Sequence, residues 1–195
     1  MEKVRVFRLA SKKDATRKKA DTPTLFDEIK DSKTEYIAIP VVSSENRRYI
    51  PIEYLNKNII AGNKLFMVKN ASLFHFSVLT SNVHMAWTKT VCGRLKSDYS
   101  YSNTVVYNNF PWCNPTPEQK KKIEKTAHAI LAARAKYPDC SLADLYDELT
   151  MPPQLRKAHQ QNDFAVMEAY GFKRTITESE CVAELMKLYQ KLTKA

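Results

Sequence analysis

The pattern of apolar and polar positions divides the chain into two regions. Between residues 34 and 112, runs rich in β-branched and aromatic residues predict short strands; they are EYIAIPVV, RRYIPIEYL, KLFMVKN and NTVVYNNF. Pro51 in the second run indicates an edge strand or a bulge. The run SLFHFSVLTSNVHMAW predicts a strand that continues as a helix, and TPTLFDEI predicts a short helix capped by Thr22.

The region from residue 116 has helical periodicity. TPEQ at 116–119 predicts a helix that begins with a capping box and a proline at its first position. SLAD at 141–144 and TESE at 177–180 predict two further capped helices, the first reaching Leu149, and a helix from about residue 153 ends at Gly171. We therefore predict an α+β fold, with a mixed, mostly β domain over residues 1–115 and a small all-α helical bundle over residues 116–195.

The basic residues are concentrated in the first region, which indicates a polyanionic partner. The chain has 31 Lys+Arg and 21 Asp+Glu, and residues 1–116 hold 18 of the basic and 10 of the acidic residues. Residues 1–20, the basic arm, have eight basic residues against two acidic ones. The arm is either a solvated linker or a segment that contacts DNA phosphates. The candidate phosphate contacts are Lys12, Lys13, Arg17, Lys18 and Lys19 in the arm and Arg47, Arg48 and Arg94 beyond it.

Several functional classes are excluded by the sequence. No apolar run reaches the roughly 18 residues of a membrane span, and the N-terminus has no signal-peptide core, so we expect no membrane partner. The four cysteines form no C-x-x-C pair, which indicates free thiols in a reducing cytoplasm. The histidines lack metal-ligand spacing, and the three isolated glycines exclude a nucleotide loop. We expect neither catalytic residues nor a metal site in this chain.

The stretch HMAWTKTVCGRLKSDYSYSNTVVYNNFPW, residues 84–112, contains the strongest candidates for recognition. Its large aromatic residues are those of an ordinary core. The polar residues after Gly93 are harder to explain in that way, because Arg94, Lys96 and Asp98 alternate donors and acceptors. Such a loop can read base edges, since lysine donates to guanine and aspartate accepts from the cytosine amine or orients a neighbouring lysine.

The chain resembles a known family along nearly its whole length. The segments SSENRRYIPI, HMAW, GRLKSDY, YSNTVVYNNFPW and SLADLYDELTMPPQLRKAH are similar to the C-terminal part of the MmeI-like type IIG (type IIL) restriction–modification enzymes. The resemblance implies a target recognition domain at residues 1–115 and a C-terminal helical domain at 116–195. It also implies that an upstream methyltransferase domain of the parent chain transfers a methyl group from S-adenosylmethionine to adenine in double-stranded DNA. This fragment would hold no cofactor of its own.

The resemblance further implies which residues read bases. Lys96 and Asp98 correspond to a pair whose Lys-x-Asp form resembles readers of guanine just after the methylated adenine. Lys64 and Ser100 correspond to a second pair, for the base just before that adenine, which again resembles guanine readers. Asn63 lies near a third position, to which no base is assigned. We expect a site that ends in guanine–adenine–guanine. The alternatives are an RNA-binding or protein-interaction module whose aromatic residues stack unpaired bases, and a scaffold that contacts no nucleic acid.

Overall fold

The computed structural model describes residues 1–26 and 31–194, and the chain divides into two compact units at residues 31 and 32. In the first unit, helices α1 (Glu2–Leu9) and α2 (Asp14–Lys18) are followed by turns. The guanidinium of Arg8 donates to the carbonyl oxygens of Lys19, Thr22 and Leu25 at 2.7, 2.7 and 2.9 Å, which closes the unit.

The short helix predicted to begin at Thr22 is absent from residues 22–26. The Thr22 hydroxyl donates back to the carbonyl of Lys19 instead of capping a helix, and Leu25 N donates to Thr22 O in a turn. The rest of that predicted helix, residues 27–29, lies outside the described residues.

The second unit begins with two small antiparallel sheets. One has the order β3-β1-β4 and the other β2-β6-β5. The strands are β1 (Tyr36–Pro40), β2 (Val42–Ser43), β3 (Glu53–Leu55), β4 (Leu65–Lys69), β5 (Gly93–Leu95) and β6 (Asp98–Ser100). Pro51 predicted an edge strand, because proline cannot donate to a central ladder. The strand β3, which begins two residues after Pro51, is at the edge of its sheet.

Two of the predicted strands are helical. The run SLFHFSVLTSNVHMAW forms α3 (Leu73–Leu79) and α4 (Asn82–Val91), with Ser72 and Ser81 as N-caps. The predicted strand at the start of this run was wrong, because α3 is buried on most sides and the apolar spacing of such a helix does not differ from that of a buried strand. The predicted helical continuation corresponds to α4. The run NTVVYNNF forms a π-helical turn, Asn103–Tyr107, in which the Ser102 hydroxyl accepts from Val105 N.

The helices of the C-terminal region begin where predicted, three of them at capping boxes and one, without a capping box, at Pro153. They are α5 (Pro117–Arg134), α6 (Leu142–Leu145), α7 (Pro153–Ala169) and α8 (Glu178–Thr193). Gly171 follows α7 with φ of +73°, the left-handed conformation expected after a helix C-terminus. The second predicted helix is shorter than expected, since α6 ends at Leu145 and Leu149 is exposed.

The sheets and helices of residues 32–195 share one hydrophobic core, so the α+β prediction is confirmed. Buried polar contacts also join the two regions: the hydroxyl of Tyr49 donates to Asp163 Oδ2 at 2.7 Å, and Arg134 in α5 lies 3.6 Å from Glu53 in β3. The strand-rich region and the helices are therefore one compact body, and a functional boundary at residue 115 stays a prediction. Among the described helices, none is long and apolar enough to cross a membrane.

Candidate nucleic-acid interface

The strands β5 and β6 form a hairpin that presents Lys96 at its tip. Leu95 pairs with Asp98, which leaves Lys96 and Ser97 as a two-residue turn. The φ angle of Lys96 is +58°, a conformation that side-chain-bearing residues seldom adopt. The Lys96 side chain is exposed and, within residues 1–26 and 31–194, forms no hydrogen bond or ion pair. The turn thus holds an ammonium group free for a partner.

Asp98 is fixed against a second loop. Its Oδ1 accepts from the backbone N–H of Glu45 at 3.3 Å, and the Tyr99 hydroxyl lies 3.5 Å from the carbonyl oxygen of Glu45. These contacts orient the carboxylate beside the loop of residues 44–48 and not toward Lys96. The ordinary surface ion pair that a Lys-x-Asp sequence often forms is therefore absent here, as far as the described residues extend.

The side chain of Arg94 contacts two other residues of the hairpin. Its guanidinium lies 4.2 Å from the ring centre of Tyr99, and Nη1 donates to the carbonyl of Ser97 at 3.0 Å. The side chain remains exposed, so contact with a phosphate is sterically open. The sequence predicted contact with DNA for Arg94, to a phosphate or as part of a base-reading loop, and the structure adds a role in shaping the turn.

The two sheets are joined where β1 leads through Val41 into β2. The second predicted pair, Lys64 and Ser100, contacts the chain at this junction. Val41 N donates to the carbonyl of Lys64 at 2.9 Å, and Val42 pairs with Ser100 in the ladder between β2 and β6. Lys64 and the adjoining Asn63 are exposed. Residues 36 positions apart in sequence thus contact two adjacent residues, Val41 and Val42, and Ser100 is on the same short strand as Asp98.

The loop of residues 44–48 carries the predicted phosphate contacts Arg47 and Arg48. Arg48 is exposed, and its guanidinium lies 5.8 Å from the ring centre of Tyr49. Tyr49 anchors the loop through its hydroxyl bond to Asp163, whose other oxygen accepts from Asn82 N at 2.8 Å. Burial raises the pKa of Asp163 to about 6, although Tyr49, Asn82 N and Arg48 favour the carboxylate.

The five predicted contacts of the basic arm lie in the first unit. Lys12 and Lys13 precede α2 and are exposed, and Arg17 and Lys18 lie on α2, 3.2 and 2.9 Å from the carboxylate of Asp14. Lys19 follows α2 and is half-buried. The arm is therefore helical in part, but neither of its two helices has a buried residue, so both interpretations of the arm stay open.

The aromatic residues of the stretch 84–112 belong mainly to the core. Trp87 and Phe110 are buried, and the indole N–H of Trp87 donates to the carbonyl of Val106 at 3.0 Å. The ordinary interpretation of these residues is thus confirmed, whereas Arg94 and Lys96 of the hairpin are exposed.

Sequence reasoning missed two residues beside the hairpin, Glu45 and Asn46. Both are exposed, and the backbone of Glu45 contacts Asp98. The signal was the polar run SSEN, in which Asn46 N donates to the Ser44 hydroxyl at 3.3 Å, a side-chain-to-backbone bond typical of turns. The sequence alone does not show that the turn after β2 lies beside the β5–β6 hairpin, because this depends on the pairing of β2 with β6.

Comparisons with known proteins agree along the whole chain. The family model of the MmeI target recognition domain matches residues 1–114, and that of the MmeI C-terminal domain matches residues 115–195. DNA methyltransferase A of Bacillus subtilis (strain 168) is 38% identical over 178 residues, which are 91% of this chain and 20% of that protein. The structure of the type IIL restriction–modification enzyme MmeI in complex with DNA matches with a TM-score of 0.93 and 46% identity, over 100% of this chain and 26% of that one. The chain thus spans about a fifth to a quarter of these relatives.

Proposed function

Since the chain belongs to the family of MmeI target recognition and C-terminal domains, we propose that it recognises a specific sequence in double-stranded DNA for an adenine methyltransferase. The observation that carries this proposal is the hairpin tip. An unpaired lysine stands there in a left-handed backbone conformation, next to a carboxylate held by a neighbouring loop. Strained backbone at an exposed polar tip is typical of functional positions.

The chemistry of the tip suits the major groove. Guanine presents two acceptors there, O6 and N7, and a lysine ammonium can donate to both. We propose that Lys96 reads guanine after the target adenine while Asp98 orients the hairpin through Glu45. Lys64 with Ser100 reads guanine before the adenine, and Asn63 contacts the adjacent base. The proposed site therefore ends in guanine–adenine–guanine.

The remaining predicted residues supply affinity without sequence information. Arg47, Arg48 and Arg94 surround the reading residues, and the arm adds Lys12, Lys13, Arg17, Lys18 and Lys19 in the first unit. Basic side chains on phosphates provide most of the salt-dependent part of DNA binding. In this proposal, residues 1–115 recognise DNA, and the C-terminal helices support residues 32–115 through the shared core.

The parent enzyme would carry out the chemistry. Its upstream methyltransferase domain would transfer the methyl group of S-adenosylmethionine to the exocyclic amine of adenine, in the cytoplasm where DNA is accessible. We expect this chain by itself to bind no S-adenosylmethionine, because it has no glycine-rich loop for a nucleotide-like cofactor. Calorimetric titration of the chain with S-adenosylmethionine should give no binding heat, and micromolar binding would contradict the assignment.

A competition experiment tests the proposal. The chain should bind a 20-base-pair DNA duplex with micromolar or weaker affinity at physiological salt, as expected for largely electrostatic contacts. Single-stranded RNA of equal length should displace the duplex poorly. Preference for the RNA would favour a module that stacks unpaired bases, and failure to bind either nucleic acid at low salt would favour a scaffold.

A further inference from the structure

A polar groove of about 380 Å³ is lined by the loop of residues 44–48, by helix α4 and by two residues of the C-terminal region. Arg47 and Arg48 of the loop and Lys89 of α4 supply its basic groups, and Glu148 and Glu178 supply its acidic ones. We call it the α4 groove. Three basic side chains in one open groove are typical of a site for an anion.

The α4 groove has more positive charge than its carboxylates neutralise. Glu178 Oε2 accepts from Lys89 Nζ at 2.8 Å, and Glu148 Oε1 accepts from Arg156 Nη1 at 2.6 Å, so both carboxylates have a basic partner. The side chain of Arg47 is half-buried and forms no hydrogen bond or ion pair within residues 1–26 and 31–194. A guanidinium that is partly withdrawn from water and has no protein partner indicates an anionic ligand.

The α4 groove adjoins the hairpin that carries Lys96. The register of β2 against β6 directs the chain after β2 toward the end of the sheet at which the β5–β6 turn lies. There the backbone of Glu45 contacts Asp98, and Asn46, next in sequence, lines the groove. The groove and Lys96 are therefore at the same end of this sheet.

We propose that the α4 groove binds one phosphodiester phosphate of the DNA backbone beside the base that Lys96 reads, and that Lys89 leaves Glu178 to join Arg47 on this phosphate. The inference rests on the proposed function and adds Lys89 and Glu178 to it. The exchange costs little, because exposed ion pairs contribute little net stability and these two side chains are 32% and 57% exposed. Glu178 is in the first turn of α8, where the helix N-terminus stabilises its carboxylate without Lys89.

The test measures the affinity of the chain for a fully paired 20-base-pair DNA duplex over a series of salt concentrations. Lys89→Met should weaken binding about threefold and reduce the slope of log K against log salt concentration by about 0.9, because one phosphate contact is lost. Glu178→Gln removes the carboxylate that competes with the phosphate for Lys89, and should strengthen binding about threefold. Lys89→Arg keeps the charge and should keep the slope.

The opposite signs separate phosphate binding from a structural role of the ion pair. Lys89→Met and Glu178→Gln both break the pair, so a purely structural pair would give two variants that bind equally or that both bind more weakly. Lys187 and Glu184, 2.7 Å apart on α8 and outside the groove, are the matched control. Lys187→Met and Glu184→Gln remove the same charges and should change affinity and slope little. Thermal melting of each variant verifies the fold.

The outcomes keep this inference apart from the proposed function. Equal weakening by Lys89→Met and Lys187→Met, or no gain of affinity in Glu178→Gln, would overturn the inference and leave duplex recognition standing. Absence of duplex binding by the wild type at low salt would contradict the proposed function and the inference with it. Calorimetric titration with inorganic phosphate tests the other source of the same chemistry. Micromolar binding of phosphate that Arg47→Ala abolishes, with duplex affinity unchanged in Lys89→Met, would assign the groove to free phosphate and refute the inference.

Discussion

Lys96 illustrates how one residue can be placed for function at some expense to stability. Its φ of +58° lies in the region where a side chain costs about 1 kcal/mol. The ammonium has no partner in the described residues, so what offsets this cost is the pairing of β5 with β6 that the turn permits. The strain is consistent with selection for the position of the ammonium group.

Replacing Lys96 by glycine tests this view. Lys96→Gly should raise the free energy of unfolding by up to about 1 kcal/mol, because glycine adopts positive φ without a steric penalty. Lys57→Gly, at an exposed turn without positive φ, should lower it by a similar amount. Urea denaturation measures both, and an equal loss in the two variants would show that Lys96 is not strained.

At the scale of the element, the capping boxes were read correctly and the buried runs were not. Thr116 and Thr177 accept hydrogen bonds from Gln119 N and Glu180 N, so local chemistry defines these helix starts. The helix α3 was misassigned as a strand because its burial comes from partners distant in sequence, whereas α4 is the helix predicted to follow it. The same reason hid Glu45, whose contact with Asp98 depends on strand pairing across 53 residues. The residues of the hairpin tip were identified from the family resemblance, and their shared turn required the structure.

Asp163 in helix α7 connects to the end of loop 44–48 through the hydroxyl of Tyr49. Protonation of the Asp163 carboxyl should therefore make the stability of the fold depend on pH. Its folded pKa of about 6 exceeds the ordinary value of 3.8, so the folded state binds more protons than the unfolded state between these values. The stabilising contribution of Asp163 is therefore complete below pH 3.8 and is lost as pH rises through about 6.

The variant Asp163→Asn isolates this titration. Between pH 4 and 7 the wild type should lose about 3 kcal/mol of unfolding free energy relative to Asp163→Asn. Asp139→Asn, at an exposed position, should follow the wild type. Urea denaturation across this pH range provides the measurement, and parallel profiles for wild type and Asp163→Asn would refute the coupling.

At the scale of the whole molecule, the proposed function assigns affinity for duplex DNA to the net charge of +10 and assigns sequence specificity to the few base-reading side chains. Each phosphate neutralised contributes about 0.9 to the slope of log K against log salt concentration. The triple variant of Lys12, Lys13 and Lys18 to alanine should therefore reduce the slope for duplex DNA by about 2–3. Replacing Lys120, Lys121 and Lys122 by alanine removes equal charge from α5 and should change the slope little. Equal slopes in the two triple variants would show that the arm does not contact phosphates.

In the proposed function, Lys96 reads the base after the methylated adenine, on a hairpin that Asp98 holds through its contact with Glu45. Glutamate accepts from the cytosine amine, so Lys96→Glu together with Asp98→Arg should exchange guanine for cytosine as the preferred base. Each single variant should lose most discrimination, since one good base contact contributes about 1–3 kcal/mol. The most direct measurement is to install both substitutions in the full-length parent enzyme and map methylated adenines across a genome. We predict methylation at sites with cytosine in place of guanine after the adenine, and methylation at an unchanged sequence would contradict the account.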